Sequence, residues 1–70
     1  MINRDTKITF EIPEMLRNAI EEAEKAYAES GELGPYMNWA KTIDNICKLY
    51  YSEGVFTKQQ WDIVTRKYPE

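Results

Sequence analysis

At 70 residues, with 43% hydrophobic and 30% charged residues and a formal net charge of −3, the chain reads as one domain near the lower limit for independent folding. Its acidity argues against coating nucleic acid by bulk charge, and one cysteine with no histidine leaves neither a disulfide nor a common zinc site. There is no apolar run of about 18 residues and no basic-then-apolar leader, so a cytoplasmic protein that does not engage membranes is expected.

The first predicted element covers residues 6–12, where polar and apolar residues alternate without a fault. Ile8, Phe10 and Ile12 fall on one side, and Lys7, Thr9 and Glu11 on the other, the period-2 pattern of a half-buried β-strand. Pro13 ends it and suits the first position of a helix. A first helix is predicted over about 13–29, with Leu16, Ile20, Ala23 and Tyr27 as its apolar stripe and Met15, Ala19 and Ala26 alongside. Ser30 and Gly31 supply its stop.

A second helix is predicted over about 35–52, opened by Pro35 and closed by Gly54. Its inward face is Tyr36, Trp39, Ala40, Ile43, Ile46, Cys47 and Tyr50. The third, over about 57–68, has the strongest start signal. Thr57 and Gln60 fit a capping box, with Phe56 placed to pack on Trp61 as a hydrophobic staple. Trp61, Val64 and Tyr68 carry its apolar face until Pro69.

A single strand cannot satisfy its own backbone groups. The expected fold is therefore α+β and mostly α: one N-terminal strand followed by three helices, the strand paired across a homodimer. In such a ribbon Ile8, Phe10 and Ile12 would each bury apolar surface worth about 1.5–3 kcal/mol.

The run Lys7-Ile8-Thr9-Phe10-Glu11-Ile12-Pro13-Glu14-Met15-Leu16 resembles the opening of ribbon-helix-helix repressors. That resemblance implies a dimeric DNA-binding transcriptional repressor, with Lys7, Thr9 and Glu11 facing the major groove. A second resemblance spans residues 22–69, on Glu24-Lys25-Ala26-Tyr27, Tyr36-Met37-Asn38-Trp39-Ala40, Gln60-Trp61-Asp62 and Lys67-Tyr68-Pro69. These pieces are similar to short accessory proteins, of uncharacterised role, from phages and mobile elements of Gram-positive gut bacteria. It implies a small accessory protein of such an element.

The charge is unevenly placed. Residues 11–32 hold seven Glu against Arg17 and Lys25, a net of −5, and five of those Glu lie in the first predicted helix at positions 14, 21, 22, 24 and 29. One reading is a solvated helix with Arg17–Glu21 and Glu21–Lys25 pairs at i,i+4. The functional reading is an acidic face that binds a protein partner through Glu14, Glu21, Glu24 and Glu29. On that reading the chain is a non-enzymatic interaction protein, an inhibitor of a nucleic-acid-handling host protein in the manner of anti-CRISPR proteins.

The remaining candidates point to packing. Tyr27, Trp39, Tyr50, Trp61 and Tyr68 lie on apolar stripes, whereas Tyr36 and Tyr51 are expected to be partly exposed. Cys47 sits mid-helix with no base or helix N-terminus to activate it, so it reads as structural. No carboxylate pair in a cleft and no glycine-rich phosphate loop is legible, so neither catalysis nor a cofactor nor a small-molecule substrate is expected. Helices two and three would put Lys58, Gln59, Asp62 and Arg66 toward DNA if they formed a helix-turn-helix, but Tyr50 fills the turn where a small residue is wanted.

Overall fold

Pro13, with φ −59° and ψ 154°, lies just outside the first helix, so the chain turns helical one residue later than expected. In the computed structural model, which describes residues 1–70, three helices follow: α1 (Glu14–Ser30), α2 (Pro35–Ser52) and α3 (Lys58–Lys67). Gly31 ends α1 by donating its N–H to the Tyr27 carbonyl at 2.8 Å, with φ 74° and ψ −157°, a region open essentially to glycine alone. Pro35 opens α2 at a position whose missing N–H costs nothing. After α2 the Val55 and Phe56 amides both donate to the Tyr50 carbonyl, at 2.8 and 3.2 Å, which folds the chain back toward α3.

The start of α3 follows its sequence signal. The Gln60 amide donates to Thr57 Oγ1 at 3.1 Å, and the Thr57 amide donates to Gln60 Oε1 at 2.8 Å. Two otherwise orphaned N–H groups are thereby satisfied. The aromatic partners of Phe56 are Phe10 and Tyr50, at centroid distances of 5.5 and 5.3 Å, while Trp61 lies 5.4 Å from Tyr51. The expected Phe56–Trp61 staple gives way to these pairs.

The seam of the fold runs between α1 and α2. Leu16, Ala19, Ala23 and Ala26 are buried on α1, and Tyr36, Ala40, Ile43, Cys47 and Tyr50 on α2. Both sets step by threes and fours, the spacing of helix faces packed along one another. The small α1 side chains make the inward line, which moves Ile20 and Tyr27 to half-buried positions and leaves Met15 48% exposed. Tyr36, expected at the surface, has no exposed area. Its ring lies 5.4 Å from that of Tyr27, and its hydroxyl donates to the Pro69 carbonyl at 3.0 Å. Tyr51 stays 46% exposed, as its place off the stripe implies.

α2 packs against both other helices, whereas α1 and α3 make no close backbone approach. The N-terminal arm, residues 1–13, spans the two. Ile2 is buried, the Asn3 amide donates to the Lys67 carbonyl at 2.8 Å, and Lys67 Nζ donates back to the Thr6 carbonyl at 2.8 Å. Farther along, Phe10 meets Phe56 edge to face, and Arg17 donates to the Ile12 carbonyl at 3.1 Å. The Cα radius of gyration, 11.3 Å, is that of 70 residues folded as one body, about 11 Å.

The fold is therefore all-α, and the α+β expectation is corrected: no strand forms over 6–12, and no ribbon across a dimer is built from it. The alternation itself is real. Ile8, Phe10 and Ile12 are half-buried against the core, while Lys7, Thr9 and Glu11 are exposed. An extended segment laid on a helical surface has the same period as a sheet strand, because side chains alternate in any extended backbone. The apolar side that a two-fold ribbon would have needed is used up within the chain.

Candidate functional site

The acidic helix does not present one face. At 100° per residue, Glu14 and Glu21 stand about 20° apart on the outer side of α1, and Glu22 and Glu29 form a second pair rotated toward α2. All four are exposed. Glu24 is rotated the other way, about 60–80° from Glu21 and Glu14, toward the arm.

Glu24 is a structural carboxylate. Arg4 donates from Nη1 to Oε2 at 2.7 Å and from Nη2 to Oε1 at 2.8 Å, a bidentate pair, and the Tyr68 hydroxyl donates to Oε2 at 2.9 Å. The Arg4 hydrogen bonds hold its carboxyl below the ordinary value, opposed by partial burial and helped by Tyr68. Burial, then the Glu24 hydrogen bond, pushes the Tyr68 phenol well up from 10.0. Glu24 thus joins the arm, α1 and the C-terminal turn, and three of the four partner-facing residues expected from the sequence remain free for that role.

The other ion pairs join Lys58 to Asp62 at 3.0 Å and the Met1 ammonium to Glu32 at 2.6 Å. The expected Arg17–Glu21 and Glu21–Lys25 pairs do not form; Arg17 turns back to the Ile12 carbonyl instead. Glu14, Glu21, Glu22 and Glu29 consequently make no ion pair within the chain.

Lys7, Thr9 and Glu11, the alternative DNA-facing residues, are exposed on the outer side of the arm. They lie on one extended segment, without the paired strand that would present them to a major groove. Cys47 is fully buried, and burial, with a smaller contribution from Asp44, pushes its thiol up to about 12. A thiol held protonated has no nucleophilic role at neutral pH. Asp44 accepts a hydrogen bond from Trp61 Nε1 at 2.9 Å, which fastens α3 to α2. No three His, Cys, Asp or Glu side chains converge, and no helix is long and apolar enough to cross a membrane.

Between α1 and α2, on the flank away from α3, lies an open groove of about 420 Å³ lined chiefly by Met15, Ala19, Glu22, Trp39, Thr42 and Ile46. The sequence places Trp39 and Ile46 on the inward face of α2, but the structure leaves both half-buried at its edge. The available signal is their seven-residue spacing one step off the fully buried line. Comparison with family models, curated proteins and solved structures gives no match to this chain.

Proposed function

We propose that the chain is a small non-enzymatic interaction protein that binds a protein partner through the outward carboxylates of α1. The observation that carries this reading is the division of labour among the acids. Glu24 is consumed by the arm, while Glu14, Glu21, Glu22 and Glu29 stand exposed and unpaired on the same helix. Carboxylates that make no ion pair within the chain are available to a cationic partner surface. The partner class that suits such a surface is a basic, nucleic-acid-handling protein, whose inhibition would follow from occupancy of its cationic face.

Physiological salt screens exposed charges beyond about 8 Å, so the carboxylates act at close contact and in steering encounter. The test is Glu14→Lys, Glu21→Lys, Glu29→Lys in one chain, checked for unchanged helicity and melting, in pull-down from the native host and in the host phenotype. Loss of both supports the reading. Full retention of partner and phenotype by the folded variant refutes it.

A further inference from the structure

The α1–α2 hairpin has two flanks, and only one is filled. On α2, Asp44 and Tyr51 meet Trp61 of α3, and on α1, Glu24 receives the arm. The opposite flank carries Met15, Trp39, Thr42 and Ile46, with Leu49 one turn beyond Ile46 and 46% exposed. A third helix of a bundle would lie in such a groove.

The charge around it is one-sided. Glu22 lines the groove, Glu29 continues its edge two turns on, and Glu14 and Glu21 stand outside it, with Lys25 among them and Arg17 turned back to the Ile12 carbonyl. The α2 wall adds no cation. Lys41 and Lys48 each lie two residues past Trp39 and Ile46, about 200° around the helix. A second copy would set this acidic edge against its own, whereas a cationic helix would neutralise it.

Resting on the proposed protein-binding role, we infer that this groove is the docking site for an amphipathic helix of the partner, its apolar stripe on Trp39, Ile46 and Met15 and its flanking Lys or Arg residues against Glu22 and Glu29. Tryptophan at the centre of the patch is the residue type that most often anchors an interface. The carboxylates supply orientation and encounter rate, and the apolar wall supplies residence time.

The probes are two synthetic helical peptides of about 18 residues, long enough at 1.5 Å per residue to span the groove. Both carry the same leucine stripe at i, i+3, i+4 and i+7; one has Lys/Arg flanks and the other Glu flanks. Titrated against the full chain and followed by tryptophan fluorescence, only the basic peptide is expected to bind, more weakly as salt rises. Met15→Lys and Thr42→Lys, at an exposed and a half-exposed position, should leave folding intact and weaken binding at least about tenfold. Equal binding of both peptides, binding by neither, or indifference to both variants overturns the inference. So does self-association of the chain that Thr42→Lys disperses, since the occupant would then be a second copy. Native-partner binding lost on reversal of Glu14 and Glu21 but kept in Met15→Lys and Thr42→Lys refutes the groove and leaves the acidic-surface reading standing; the converse pattern refutes that reading alone.

Discussion

Phe10→Ala separates an arm docked within the chain from a strand shared between chains. Phe10 is half-buried, and its ring meets Phe56 edge to face at 5.5 Å and 81°. Full burial of a Phe side chain is worth about 1.5–3 kcal/mol, so the half-buried share is about 0.8–1.5 kcal/mol. The edge-to-face pair adds about 0.5–1.5 kcal/mol. Removal should therefore cost about 1.3–3 kcal/mol, from a total of roughly 4–10 kcal/mol for a chain of this length. At about 4–8 °C per kcal/mol in a small domain, the melting temperature should fall by roughly 5–25 °C. Melting followed by circular dichroism over a wide range of protein concentration is the assay, with Thr9→Ala as control, expected within about 0.5 kcal/mol of the parent. An intramolecular arm gives a drop independent of concentration. A melting temperature that climbs with concentration in the parent and loses that dependence in Phe10→Ala would refute the reasoning, as would a variant that melts with the parent.

Three further outcomes are expected. Cys47, buried and with its thiol at about 12, should resist thiol reagents at neutral pH until denaturant opens the fold; prompt labelling of folded protein would count against its placement. Glu24, whose carboxyl is depressed by Arg4, contributes stability that is present above the ordinary value of 4.5 and lost as pH falls through its lowered value. Glu24→Gln should therefore lower the melting temperature at neutral pH and converge with the parent in acid, and a constant difference across that range would contradict the latch. Burial raises the Tyr36 phenol to about 12 and the Tyr68 phenol further, which disfavours their ionised forms in the fold, so stability should decline as pH rises above 10.0. In an alkaline titration followed by phenolate absorbance these two should ionise last, together with loss of helicity, and ionisation of all five tyrosines with helicity intact would refute this.

Local signals place the helices to within a residue or so, because their cues act over a single turn. Pro13, Gly31, Pro35 and the Thr57–Gln60 box each set a boundary through backbone geometry or a hydrogen bond spanning at most four residues. The α2 line, with Tyr50 and Cys47 inward, follows from the same local periodicity, whereas on α1 the buried line runs through Ala19 and Ala26 in place of Ile20 and Tyr27. By contrast, what the alternating segment packs against is a long-range matter. Extended backbone alternates whether its apolar side meets another strand or a helical surface, and only the folded chain shows Phe10 on Phe56.

The candidate site divides in the same way. An excess of glutamate in residues 11–32 is plain from composition, and helical spacing alone separates Glu14 and Glu21 from Glu24. That Glu24 is spent on Arg4, 20 residues earlier, and on Tyr68, 44 later, was decided by the docking of the arm and the C-terminal turn. Tyr36 was buried by the same closure, through the Pro69 carbonyl 33 residues away. The open groove exists because α3 and the arm settle on one flank of the hairpin and leave Trp39 and Ile46 on the other. Periodicity specifies which side chains share a helix face; which face receives a neighbour depends on contacts between residues far apart in the chain, and those exist only once the fold has closed.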